Sequence, residues 1–156
     1  MTQTDLKIER QTIIRAPRTR VWQSLTTPAE FAKWFRVEVL EGRFEPGMEV
    51  KMKSTYSGSP CEGELFSMWI ESIEPQHTFS WRWHPGMRLA EVDYSKEPMT
   101  RVVFTLEETD EGTRVTVIET GFDEISLARR ARVFGENDEG WREQMVNLEQ
   151  YVDRSK

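Results

Sequence analysis

The chain has 156 residues, 37% hydrophobic and 31% charged, with 21 basic against 27 acidic side chains for a net charge of −6. This size and mixture exclude disorder and suit one domain, predicted over 1–156, that buries about two-thirds of its unfolded surface. The acidic balance disfavours nucleic acid and anionic lipid as partners. No apolar run approaches the ~18 residues of a membrane span, and Met1 to Glu9 lacks the basic and apolar regions of a signal peptide, so a cytoplasmic location is expected. The single cysteine, Cys61, allows no internal bridge.

Leu6 to Arg15 alternates Leu6, Ile8, Thr12 and Ile14 with polar neighbours and predicts a half-buried strand that stops at Ala16-Pro17. Pro17 suits the first position of a short helix carrying Val21, Trp22 and Leu25 on one stripe. A second short helix follows, with Thr27 and Glu30 in capping-box spacing and Phe31, Trp34 and Phe35 as its apolar side.

From Val37 to Phe122 the period drops to 2, broken by turn signals such as Glu45-Pro46-Gly47, His84-Pro85-Gly86 and Asp110-Glu111-Gly112. Strands are predicted at 37–44, 48–56, 62–73, 77–84, 99–108 and 112–121. Val50 and Met52 share one face of the second of these, and Phe79, Trp81 and Trp83 one face of the fourth. Strand 62–73 is apolar on both sides, and its inward face stays unassigned. Ser126 to Phe134 predicts a helical turn or two. A final helix is expected from about Asp138 to Asp153, capped by Asn137 or Asp138, with Trp141, Met145, Leu148 and Val152 as its stripe. Strand, two short helices, six strands and a long amphipathic helix predict an α+β fold: a curved antiparallel seven-stranded sheet wrapped around the last helix.

Ile13-Ile14-Arg15-Ala16-Pro17, Val21-Trp22, Leu25-Thr26-Thr27-Pro28 and Lys33-Trp34-Phe35 resemble the opening of the activator of Hsp90 ATPase homologue-1-like family. That family lies within the START-like (Bet v 1-like, SRPBCC) superfamily. Ile73-Glu74-Pro75, Phe79-Ser80-Trp81-Arg82-Trp83, Gly112 to Val117, Glu119-Thr120-Gly121-Phe122, Gly140-Trp141 and Leu148-Glu149-Gln150-Tyr151 continue the resemblance in order, and the details resemble an uncharacterised bacterial subgroup. Pro46-Gly47-Met48 stands where paired glycines are frequent, and Ser67 marks a place where a glycine is missing. The resemblance implies a helix-grip fold whose relatives bind apolar small molecules, and in some cases act as cyclases or contact a chaperone.

The space between helix and sheet is either a pocket or a filled core. Read as a pocket, it is lined by Trp34, Met52, Trp69, Phe79, Trp81, Trp83, Phe104, Val117, Glu119, Trp141, Met145 and Leu148, and it encloses a small hydrophobic, aromatic or lipid-like molecule without catalysing a reaction. Alternation from Val115 and Val117 points Glu119 into the apolar layer, which makes it the one weak catalytic candidate, for a cyclase or hydrolase. The favoured plainer reading is an edge position near Gly121, where a bulge lets Glu119 reach water or an arginine. By strand parity His84 lies on the polar face. The loop from Pro85 to Pro98, with Asp93 and Tyr94, and the cluster Arg129, Arg130 and Arg132 are candidate gates. His77, His84 and Cys61 form no metal spacing, so neither metal nor cofactor is expected. The expected partners are a small hydrophobic ligand and, alternatively, a chaperone, with the protein a monomer or homodimer.

Overall fold

The computed structural model describes residues 6–154. Residues 1–5 and 155–156, with the two ends of the predicted 1–156 domain and part of the Met1 to Glu9 segment, lie outside the described residues. In chain order come β1 (Ile8–Ile14), α1 (Arg18–Thr26), α2 (Pro28–Phe35), β2 (Val37–Glu41), β3 (Glu49–Ser54), β4 (Leu65–Glu74), β5 (Thr78–Trp83), β6 (Thr100–Thr109), β7 (Gly112–Thr120) and α3 (Leu127–Arg154). The strands form one seven-stranded sheet in the order β1-β7-β6-β5-β4-β3-β2, with every neighbouring pair antiparallel. This is the expected helix-grip arrangement. No helix among the described residues is long and apolar enough to cross a membrane.

Alternation settles which face is covered. Val115, Val117 and Glu119 of β7 and Val102 and Phe104 of β6 are fully buried, and so are Phe79 and Trp81 of β5. The two-sided apolar pattern of β4 has a local cause. Met68 and Ile70 face inward, the register slips between Ile70 and Ser72, and Ile73 then pairs with inward-facing Phe79. A bulge thus brings Ile73 to the same side as Met68 and Ile70, and leaves Leu65 exposed and Trp69 on the outer face, edge-on to His84 at 6.0 Å.

Three local expectations are corrected. Pro17 precedes α1 as its cap residue, and Thr27 makes no side-chain cap on α2. Glu30 instead accepts from Arg20 Nη1 at 2.6 Å and from Tyr151 Oη at 2.8 Å, tying α1, α2 and α3 together. The last helix does not start near residue 138. It runs unbroken for 28 residues, about 42 Å, because Val133 and Asn137 extend the Trp141 stripe backward in steps of four. Asn137 is therefore mid-helix, and its amide serves another purpose.

Candidate functional site

A cleft of about 260 Å³, open to solvent on one side, lies between the middle of α3 and the adjacent edge of the sheet's covered face. Phe35, Val37, Phe66, Trp83, Met87 and Trp141 provide its apolar walls. Polar groups at its rim include Glu64, His84, Glu136, Asn137 and Gln144. Tyr56 and Arg36 form one lip: the guanidinium lies 4.7 Å from the Tyr56 ring centre, and the phenol donates to Glu143 at 2.9 Å.

Beneath the cleft sits Glu119, with no solvent exposure. Its Oε2 accepts from Trp83 Nε1 at 2.9 Å, Thr100 Oγ1 at 2.5 Å and Asn137 Nδ2 at 3.0 Å. Its Oε1 accepts from Trp141 Nε1 at 2.7 Å and Asn137 Nδ2 at 2.9 Å. Strand alternation therefore prevails over the favoured edge reading, and the carboxylate is held by neutral donors rather than an arginine. Burial pushes the Glu119 carboxyl above the usual carboxylate range against the pull of the donors from Thr100, Trp83, Asn137 and Trp141. Thr100 Oγ1 is the one of these contacting atoms that can also accept a hydrogen bond from the protonated carboxyl, since indole and amide N–H groups only donate. Asn137 Oδ1 in turn accepts from Gly86 N at 2.9 Å, so the 84–88 turn, α3 and β7 are joined through one side chain.

Of the residues proposed to line a pocket, Trp83 and Trp141 reach the cleft. Trp34, Met52, Phe79, Trp81, Phe104, Val117, Met145 and Leu148 are buried in the core instead, and Glu119 lies behind the cleft wall. The physical reason is that the rings interlock. Trp81 stacks on Phe104 at 5.7 Å, Phe104 meets Trp141 edge-on at 5.6 Å, and Phe31 wedges against Trp34 at 5.1 Å and Trp81 at 6.0 Å. Interiors pack near crystal density, and two aromatic side chains from outside the sheet, Phe31 and Phe44, complete this filling at 5.3 Å from each other. Trp69 lies outside the core face altogether.

The sequence reading missed Glu64, Phe66, Tyr56, Met87, Glu136 and Asn137. A usable signal existed for Glu64 and Phe66, which continue the inward alternation of Met68. Another existed for Asn137, four residues before Trp141. His84 is half-buried at the cleft rather than solvated, and burial pushes its imidazole below the usual histidine range. Its Nε2 lies 3.2 Å from the Glu97 carbonyl. The candidate gate is stitched down. Tyr94 is buried, its ring covered by Arg88 at 4.5 Å and Arg129 at 5.8 Å, and its hydroxyl accepts from Leu89 N at 2.9 Å. Arg130 donates to the Ile125 carbonyl at 2.8 Å, Arg129 pairs with Glu97, and Arg132 pairs with Glu136 at 3.0 Å. The Cys61 thiol is raised by burial and by the charges of Glu64 and Glu136, which leaves it a poor nucleophile.

The sequence profile of the family described as activator of Hsp90 ATPase homolog 1-like protein matches residues 15–153. The chain belongs to that family. Solved structures show the same fold at low identity. Protein MLL2253 from Mesorhizobium loti is 22% identical, with a TM-score of 0.73 over 96% of this chain and 98% of that one. Protein Ms6760 from Mycobacterium smegmatis is 22% identical, with a TM-score of 0.71 over 96% and 90%. CalU16 from Micromonospora echinospora is 20% identical, with a TM-score of 0.63 over 94% and 75%. No curated protein matches the chain significantly.

Proposed function

We propose that this protein binds a small, flat hydrophobic molecule in the cleft between α3 and the sheet, without catalysing its conversion. The observation that carries this reading is the anchoring of Trp83 and Trp141. Both indole N–H groups are committed to Glu119, and both rings line the open cleft, 5.9 Å apart and tilted by 30°. Rings held this way lose little freedom when a ligand packs on them, so burial is not offset by ordering of the walls. A volume of about 260 Å³ suits one or two fused rings. Apolar contact contributes roughly 25 cal/mol per Å² buried.

Calorimetric titration with a panel of one- and two-ring aromatics tests the reading. Micromolar binding that weakens in Trp83→Ala and is retained in Trp22→Ala supports it, and a uniformly flat panel overturns it. Family membership supports a chaperone-contacting module as a second reading. Stimulation of a cognate Hsp90 ATPase by this chain favours that reading, and an unchanged rate removes it. A cyclase or hydrolase working through Glu119 lacks support, because that carboxylate is sealed behind Trp83, Trp141 and Asn137.

A further inference from the structure

The polar rim of the cleft has its own chemistry. Its charged lining residues are Arg36, Arg88, Glu64, Glu136 and Glu143, and four of them are occupied. The Arg36 guanidinium packs on Tyr56, and that of Arg88 packs on Tyr94 at 4.5 Å. Glu143 accepts from the Tyr56 hydroxyl, and Glu136 accepts from Arg132 and from Met87 N at 2.9 Å. Glu64 differs. Among the described residues its carboxylate receives the Arg88 backbone N–H at 2.9 Å and pairs with no cationic side chain.

Its placement follows from the ladder. Ser54 N donates to the Glu64 carbonyl at 2.8 Å, so the β3–β4 pairing continues past Leu65 and Glu64 joins the inward set of Phe66 and Met68. A half-buried carboxylate therefore stands about 7 Å, two strand residues, from an aromatic wall. Burial raises its pKa against the Arg88 backbone N–H and the Arg88 charge, with the charge of Glu136 adding a smaller rise.

Resting on the binding reading above, we propose that the cleft selects a cationic amphiphile, an aromatic body on a short arm ending in a protonated amine, and that Glu64 receives the ammonium group. The ring packs on Trp83, Trp141 and Phe66, and the arm spans the distance to the carboxylate. An anionic analogue placed the same way meets the Glu64 carboxylate and is disfavoured.

Three isosteres separate this proposal from the reading it rests on: 2-(2-naphthyl)ethylamine, 2-(2-naphthyl)ethanol and 3-(2-naphthyl)propanoate, titrated calorimetrically at pH 7. The amine is expected to bind about five- to tenfold tighter than the alcohol, the scale of a partly solvated charge-assisted pair, with the propanoate weakest. Glu64→Gln is expected to bring the amine-to-alcohol ratio to about 1, and Glu64→Lys to place the propanoate ahead of the amine. An alcohol that binds as tightly as the amine to the intact protein overturns the amine assignment and leaves the binding reading standing. So does a preference that persists in Glu64→Gln. Absence of binding by all three overturns both. The comparison on the intact protein decides the matter even if a variant fails to fold.

Discussion

Trp83 and Trp141, 58 residues apart in sequence and on opposite layers of the fold, direct their indole N–H groups to the two oxygens of one carboxylate, Glu119, at 2.9 and 2.7 Å. Their rings thereby acquire a fixed orientation at the cleft, and the terminal helix is locked to the sheet at its centre. A Gln at 119 keeps the shape but replaces one acceptor oxygen with an amide that faces donors. Glu119→Gln is therefore expected to destabilise the protein by about 1–3 kcal/mol, the cost of an unmet buried donor, read as a lower denaturation midpoint with unchanged slope.

The pH dependence of stability carries two opposed signatures. Glu119 has a folded pKa above its unfolded value, so its contribution is complete below the unfolded pKa and fades as pH rises through the folded one. Glu30 goes the other way. Burial raises its pKa, but hydrogen bonds from Arg20 and Tyr151 and the Arg20 charge outweigh that and leave it lowered. Its contribution is present above the unfolded pKa and is lost as pH falls through the folded one. Melting curves across pH should show the upper loss vanish in Glu119→Gln and the acid loss move to higher pH in Tyr151→Phe, which also costs about 0.5–1.5 kcal/mol.

Gly112 closes the β6–β7 hairpin at φ +141°, and a Cβ there would stand 2.1 Å from the Ile14 carbonyl oxygen, a backbone atom that cannot swing aside. Gly112→Ala should cost more than about 2 kcal/mol and disturb the β1–β7 pairing, whereas Gly47→Ala, with φ +88° but open space around it, costs less. Chemical denaturation of the two variants side by side checks the order.

Core and cleft should be separable. Phe104 is fully buried and stacked on Trp81, and it does not line the cleft, so Phe104→Ala is expected to lose about 3–5 kcal/mol of stability. Trp83 is only partly buried and lines the cleft. Trp83→Ala should therefore lose ligand affinity by a larger factor than Phe104→Ala does, measured below both melting points.

Strand positions and most of the inward set were legible because period 2 is a local property of the chain, and Val115, Val117 and Glu119 obey it without exception. The site was less so. Whether aromatic residues on a concave sheet enclose space or fill it depends on neighbours such as Phe31 and Phe44, whose ring positions are set by helix packing and a turn rather than by spacing. Asn137 and Asp138 read as a helix start because both residue types favour caps. The helix continues because Asn137 spends its amide on Glu119 and Gly86. Trp69 was not placed because β4 is apolar on both sides, and the bulge after Ile70 that produces this pattern is seen only in the sheet register.

The most direct test of the central claim is the indole N–H region of a ¹⁵N-labelled sample, where each of the six tryptophans gives one signal. Addition of 2-(2-naphthyl)ethylamine should shift the signals of Trp83 and Trp141, assigned through their loss in Trp→Phe variants, while those of Trp22 and Trp34 stay in place. Saturating ligand that moves none of the six, or moves Trp22 and Trp34 and spares the pair held by Glu119, contradicts the account.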